Sequence, residues 1–171
     1  MAASVPEVVP EPSLAQVLEI ITRAVFQAGV KWSQIAGHWD AYRVAFANFD
    51  PEQVANFDSI DAERILAQDG VLRVPRKVQA TIANARALLG AQREFGSFHG
   101  YVASFPTYAA LATDMKKRFA HLGDMNVWYV LFRCGEAVPR FEPWVKTIKG
   151  EHPRMREMVD LARSQGRSPE I

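Results

Sequence analysis

Cysteine is almost missing from this 171-residue chain: Cys134 stands alone. No intrachain disulfide framework can form, and the usage fits a reducing compartment, the cytoplasm. Long apolar runs are missing too. No stretch approaches the ~18 uninterrupted apolar residues of a membrane span, so no membrane partner is expected. The opening Met1-Ala2-Ala3-Ser4-Val5-Pro6 has neither the basic leader nor the apolar run of a secretory signal. There is no internal repeat, no low-complexity tract, no P-loop, no Gly-rich dinucleotide turn and no Ser-His-Asp or Cys-His arrangement, which removes the commonest nucleotide-binding and nucleophilic-hydrolase classes. A net charge excess is also lacking, at +1.

That total averages two unlike parts. Residues 1–70 carry four Lys/Arg against ten Asp/Glu, and residues 71–171 carry sixteen against nine. The sign changes near Gly70, a weak pointer to an anionic partner on one side. Hydrophobic residues make up 49% and charged residues 23%, enough for one domain with a real core. Residues 1–12, with Pro6, Pro10 and Pro12, read as a flexible arm, residues 13–163 as a helical domain and residues 164–171 as a polar tail.

The domain reads all-α. Ser13 with Gln16 is a capping-box signal, followed by a stripe of Leu14, Val17, Leu18, Ile21, Val25 and Ala28 that Gly29 ends. A second helix is expected to carry Ile35, Trp39, Tyr42, Val44, Ala45 and Phe46. Asp50-Pro51 opens a short third one. Asp58 or Ser59 starts the next, with Ile60, Ile65 and Leu66 inward. Val78, Ile82, Ala85, Leu88 and Leu89 stripe a longer helix. Thr107 caps another, Asp124 is expected to cap Met125 to Cys134 ahead of Gly135, and Met155, Met158, Val159 and Leu161 mark the last.

Residues 67–78 form the most informative stretch. A helix ends near Asp69-Gly70, a tight connection carries Val71 and Leu72, and Pro75 suits the first turn of the next helix. This is a helix–hairpin–helix pattern, whose free N–H groups bind phosphate oxygens. Arg76 and Lys77 oppose the dipole of that helix by roughly 0.3–1 kcal/mol each if exposed. A bound phosphate would compensate them; a solvated basic turn would simply tolerate them.

With the hairpin in place, the chain resembles the DNA-3-methyladenine glycosylase I family of the helix–hairpin–helix superfamily. The residues that carry the likeness run in order: Gln27-Ala28-Gly29-Val30-Lys31-Trp32; Tyr42-Arg43-Val44-Ala45-Phe46 with Phe49-Asp50-Pro51-Glu52-Gln53-Val54-Ala55; Asp69-Gly70-Val71-Leu72-Arg73 with Lys77-Val78-Gln79-Ala80 and Asn84-Ala85-Arg86; then Ser97-Phe98, Met115 to Phe119 and Cys134-Gly135. The likeness covers about residues 14–140. It implies a helical fold with a base pocket between lobes, and hydrolysis of the N-glycosidic bond of a 3-methyladenine-like purine flipped from double-stranded DNA, the opening step of base-excision repair. N3-methylation makes the purine a cationic leaving group, so the protein must chiefly extrude, stack and stabilise charge.

On this resemblance Trp32 stacks the base, Gln27 reads its polar edge and Tyr42 lines the pocket, while Gly70, Val71, Arg73, Arg76 and Lys77 hold DNA phosphates. Each has a plain counterpart: Trp32 and Tyr42 as core aromatics, Gln27 as a cap, the basic residues as a solvated turn. No catalytic residue can be named. Three departures stand out. Counting back from Gln27, the family's base-binding glutamate falls on Ala24, and Glu19, five residues earlier, is turned roughly 140° around the helix. The family's zinc staple of two Cys and two His has no counterpart, so no metal and no cofactor are expected. The family's N-terminal pocket tyrosines have none in residues 1–13. A monomer is expected. The competing reading is a non-catalytic helix–hairpin–helix DNA-binding module.

Overall fold

The computed structural model describes residues 5–150 and 152–171. Ser13 and Gln16 close the expected capping box at the start of α1 (Leu14–Gln27). Gly29 at φ +73° lets the chain turn away. Then follow α2 (Trp32–Ala36) and α3 (Trp39–Ala45), where the sequence suggested one helix. The break falls at Gly37-His38, and it rotates the register so that Val44 is exposed rather than inward. A left-handed turn at Ala47, Asn48 and Phe49 leads into α4 (Pro51–Ala55), which Asp50 caps. Asp58 and Asp61 close a second capping box on α5 (Ser59–Ala67). Ile60, expected inward, sits on the solvent side of that helix.

The longest helix, α6 (Pro75–Phe95), packs against α1, α4, α5 and α7 (Phe98–Ala103). Thr107 caps α8 (Tyr108–Arg118) as expected. In α9 (Asp124–Arg133) the cap is Gly123, and Asp124 instead lies in the first turn, where it meets the Lys116 ammonium at 2.7 Å. The chain closes with α10 (Phe141–Val145) and α11 (Pro153–Ser164). Among the described residues the one β-type pairing is the isolated bridge Val138–Glu170, so the all-α expectation holds. No helix is long and apolar enough to cross a membrane.

Aromatic stacking organises the core in two places. Trp39, Tyr42, Phe46, Phe49 and Phe26 join α1, α3 and the left-handed turn. Trp128 stacks on Phe132 and Trp144, both 4.9 Å away, and donates its indole N–H to the Pro139 carbonyl. Truncating a side chain of that size and burial costs about 3–5 kcal/mol.

Residues 5–12 and 164–171 are both docked on the helical domain. In the expected flexible arm, residues 1–4 lie outside the described residues, and residues 5–12 lie against α9. Val8 is buried, Val9 N–H donates to the Arg133 carbonyl at 2.7 Å, and Arg133 Nε donates to the Glu7 carbonyl. Apolar burial of Pro6 and Val8 outweighs the polar look of the segment. The expected polar tail is held likewise. Arg163 makes a bidentate pair with Glu142 at 2.7 Å and also binds Glu170, while Ile171 N–H donates to the Val138 carbonyl.

Candidate functional site

The hairpin between α5 and α6 has the conformation its sequence requires. Gly70 adopts φ +91°, and a Cβ there would stand 3.0 Å from the Ala41 Cβ, so glycine answers both backbone and space. Val71 buries its side chain and donates its N–H to the Gln68 carbonyl, closing the turn. Tyr42 supports the turn from below: its hydroxyl accepts the Leu72 N–H at 3.0 Å while its ring packs on Phe26 and Trp39. Burial raises the Tyr42 pKa, so the hydroxyl stays neutral and able to accept. Tyr42 is thus a buried residue that positions the hairpin, the plain counterpart of its expected place in the base pocket.

Three of the five expected phosphate contacts face solvent: Gly70, Arg73 and Arg76. Among the described residues, their backbone N–H groups meet no acceptor in the chain, and neither arginine has a carboxylate partner. The Val71 side chain is buried and its N–H is already donated to the Gln68 carbonyl. Lys77 is the plain correction. It is buried, and its ammonium donates to the carbonyls of Phe26 and Ala28 at 3.1 and 2.9 Å. Those are orphan carbonyls at the negative end of α1. The cation that looked misplaced at the start of α6 neutralises the end of another helix. Burial first, and Arg76 second, lower its pKa.

Trp32 and Gln27 emerge at that same end of α1. Trp32 is 7% exposed. The His152 imidazole lies on its face, with centroids 4.6 Å apart and planes 14° from parallel, and Tyr129 meets it edge-on at 5.5 Å. A flat heteroaromatic ring therefore already occupies the stacking surface. His152 is also the N-cap of α11, its Nδ1 accepting the Arg154 N–H, and burial followed by Arg154 lowers its pKa. Gln27 is buried, and its Oε1 accepts from Arg23 Nε at 2.9 Å. Ala24 is buried and offers no polar atom. Glu19 is committed elsewhere, accepting Trp39 Nε1 at 2.7 Å and Arg43 at 3.0 Å, as its angular offset implied.

Sequence reasoning missed Arg23, Tyr129 and His152, which surround Trp32 and Gln27. Tyr129 and His152 come from parts of the chain more than ninety residues away, and no local spacing marks such a meeting. A cavity of about 440 Å³ lies at Ser97, Phe98, His99, Cys134 and Glu136, where the buried Glu136 carboxylate binds His99 Nδ1 at 2.8 Å. None of the expected site residues lines it. The residues present do not suit a zinc staple. Cys134 is buried with its thiol pushed far above the usual range by desolvation, and among the described residues no three His, Cys, Asp or Glu side chains gather to hold a metal.

The chain is 34% identical over 106 residues to DNA-3-methyladenine glycosylase 1 of Escherichia coli, covering 62% of this chain and 57% of that protein. It is 27% identical over 106 residues to DNA-3-methyladenine glycosylase of Haemophilus influenzae, with the same coverage. The match thus spans little more than half the length of these relatives. A crystal structure of 3-methyladenine DNA glycosylase I superposes with a TM-score of 0.66 at 31% identity, covering 74% of this chain and 81% of that one. The Staphylococcus aureus glycosylase shares the fold at a TM-score of 0.66 and 22% identity. The methyladenine glycosylase family model matches residues 8–128, a span that includes α1, Trp32, the hairpin and all of α6, and the chain belongs to that family.

Proposed function

We propose that this protein binds double-stranded DNA through its hairpin and acts in base-excision repair, hydrolysing the N-glycosidic bond of an alkylated, 3-methyladenine-like purine extruded towards Trp32. The observation that carries the reading is the Trp32–His152 stack. The indole face accepts a planar nitrogen heterocycle at stacking distance, beside a hairpin whose Gly70, Arg73 and Arg76 are exposed. Phosphates would be met by those residues, and water would attack the anomeric carbon once the base is stacked. His152 must leave for a base to enter.

Ala24, at the position of the family's base-binding glutamate, favours the second reading, a DNA-binding module without glycosylase chemistry. Losing one charged hydrogen bond to the base costs about 1.5–3 kcal/mol, which lowers base affinity without touching the hairpin. The two are separated by incubating the protein with methylated duplex DNA and following released bases by chromatography. Release that Trp32→Ala abolishes establishes the glycosylase. DNA binding with release no faster than in buffer establishes the module.

A further inference from the structure

A second cavity, about 190 Å³, opens between α1, α3, the end of α9 and the N-terminal arm. Its walls include Glu19, Arg23, Trp39, Arg43 and Arg133. Three guanidinium groups thus face one carboxylate. Glu19 spends its charge on Arg43, at 3.0 Å, while accepting the indole N–H of Trp39; Asp40 takes the other side of Arg43 at 3.3 Å. Arg23 and Arg133 are left with neutral partners. Arg23 Nε is held by the Gln27 amide oxygen and its guanidinium lies 4.8 Å over the Trp39 ring. Arg133 Nε is held by the Glu7 carbonyl, and its Nη1 reaches the Tyr129 hydroxyl at 3.5 Å. Among the described residues, the terminal nitrogens of Arg23 meet no carboxylate and no carbonyl.

Two like charges gathered in a partly enclosed space, each anchored through Nε to a neutral acceptor and with no carboxylate on its terminal nitrogens among the described residues, form a fork for an oxyanion. Burial works against the Arg23 cation, and so do Arg133 and Arg43, whereas Tyr129 and Glu19 support it. An anion between Arg23 and Arg133 relieves that conflict. Size and shape narrow its class. The volume is that of roughly six water molecules at about 30 Å³ each, below the ~300–1,000 Å³ of sites for larger organic ligands. No bare aromatic face is offered, because Trp39 is already engaged by Tyr42, Phe49 and Arg23. We infer that Arg23 and Arg133 form a binding site for a phosphate group, separate from the hairpin, with Arg43 at its rim.

The phosphate belongs either to a DNA backbone or to a small soluble phosphate, and the same experiment distinguishes the sources. Inorganic phosphate is titrated into the full chain by calorimetry at constant ionic strength, with chloride as the reference anion. Saturable binding is expected, at least tenfold weaker in Arg23→Gln and in Arg133→Gln. The two substitutions lie on different helices, so one remains informative if the other unfolds the protein. If phosphate competes with duplex DNA and Arg23→Gln weakens DNA binding, the natural source is the backbone. If DNA and phosphate bind independently, it is a soluble phosphate. Absence of saturable phosphate binding, or an isotherm indifferent to both substitutions, overturns the site.

Discussion

Lys77 shows how one residue type in one place can mean opposite things. Beside Arg76 in the first turn of α6, it looks like half of a basic patch. The structure spends it on the Phe26 and Ala28 carbonyls, where it ties the start of α6 to the end of α1. Arg73 and Arg76 remain outside. Lys77→Met should therefore lower stability by about 1.5–3 kcal/mol, the range for charge-assisted hydrogen bonds, seen as a lower denaturation midpoint. The salt dependence of DNA binding should stay as it is. Arg73→Ala with Arg76→Ala should do the reverse: unchanged stability, and a log–log salt slope flatter by about one unit per lost phosphate contact. A Lys77 variant that flattens the slope would return that residue to the interface. Nothing in the local sequence separates the two arginines from the lysine; the distinction lies in which helix end the chain brings to position 77.

At the level of elements, the legible parts were those governed by local chemistry. The Ser13 capping box, the helix start at Asp58, the Asp50-Pro51 start and the Thr107 cap each satisfy a backbone group within four residues. Gly70→Ala should cost about 1–3 kcal/mol through its positive φ, and the added methyl, 3.0 Å from Ala41, should weaken DNA binding as the hairpin shifts. A midpoint and an affinity both equal to wild type would show that the turn adapts. The illegible parts were those decided by distant partners. Val44 and Ile60 fit helical stripes but face solvent, because neighbouring helices cover a different side. The docking of residues 5–12 and 164–171 rests on Arg133 and Arg163 reaching across the chain. The second of these clamps has a pH signature. Arg163 holds the Glu142 carboxyl down to about 2 from 4.5, and Glu170 is lowered in the same pair. A carboxylate depressed in the folded state contributes stability that is present above its unfolded value and lost as pH falls through the folded one. Melting temperature should therefore drop between about pH 4.5 and 2, and Glu142→Gln should flatten that drop.

Across the whole molecule, residues 129–171 close over what the first hundred prepare. The family match ends at residue 128, and the two rings that cover Trp32, Tyr129 and His152, both come after it. His152 opens α11, whose far end is fastened by Arg163, so the ring on Trp32 is carried by an element anchored elsewhere. A base that stacks on Trp32 must displace about 0.5–1.5 kcal/mol of ring–ring contact. His152→Ala should return that energy to the ligand, raising affinity for a free purine base about two- to tenfold and exposing Trp32 to acrylamide quenching. Acid should act in the same direction. His152 is held below its usual pKa of 6.5, and its Nδ1 accepts the Arg154 N–H only when unprotonated. The stability tied to the neutral ring is thus present above pH 6.5 and lost as pH falls through the lower folded value. Wild-type quenching should rise over that interval and the His152→Ala variant should show no such rise. Equal quenching profiles for the two proteins would mean that the ring on Trp32 is not a gate.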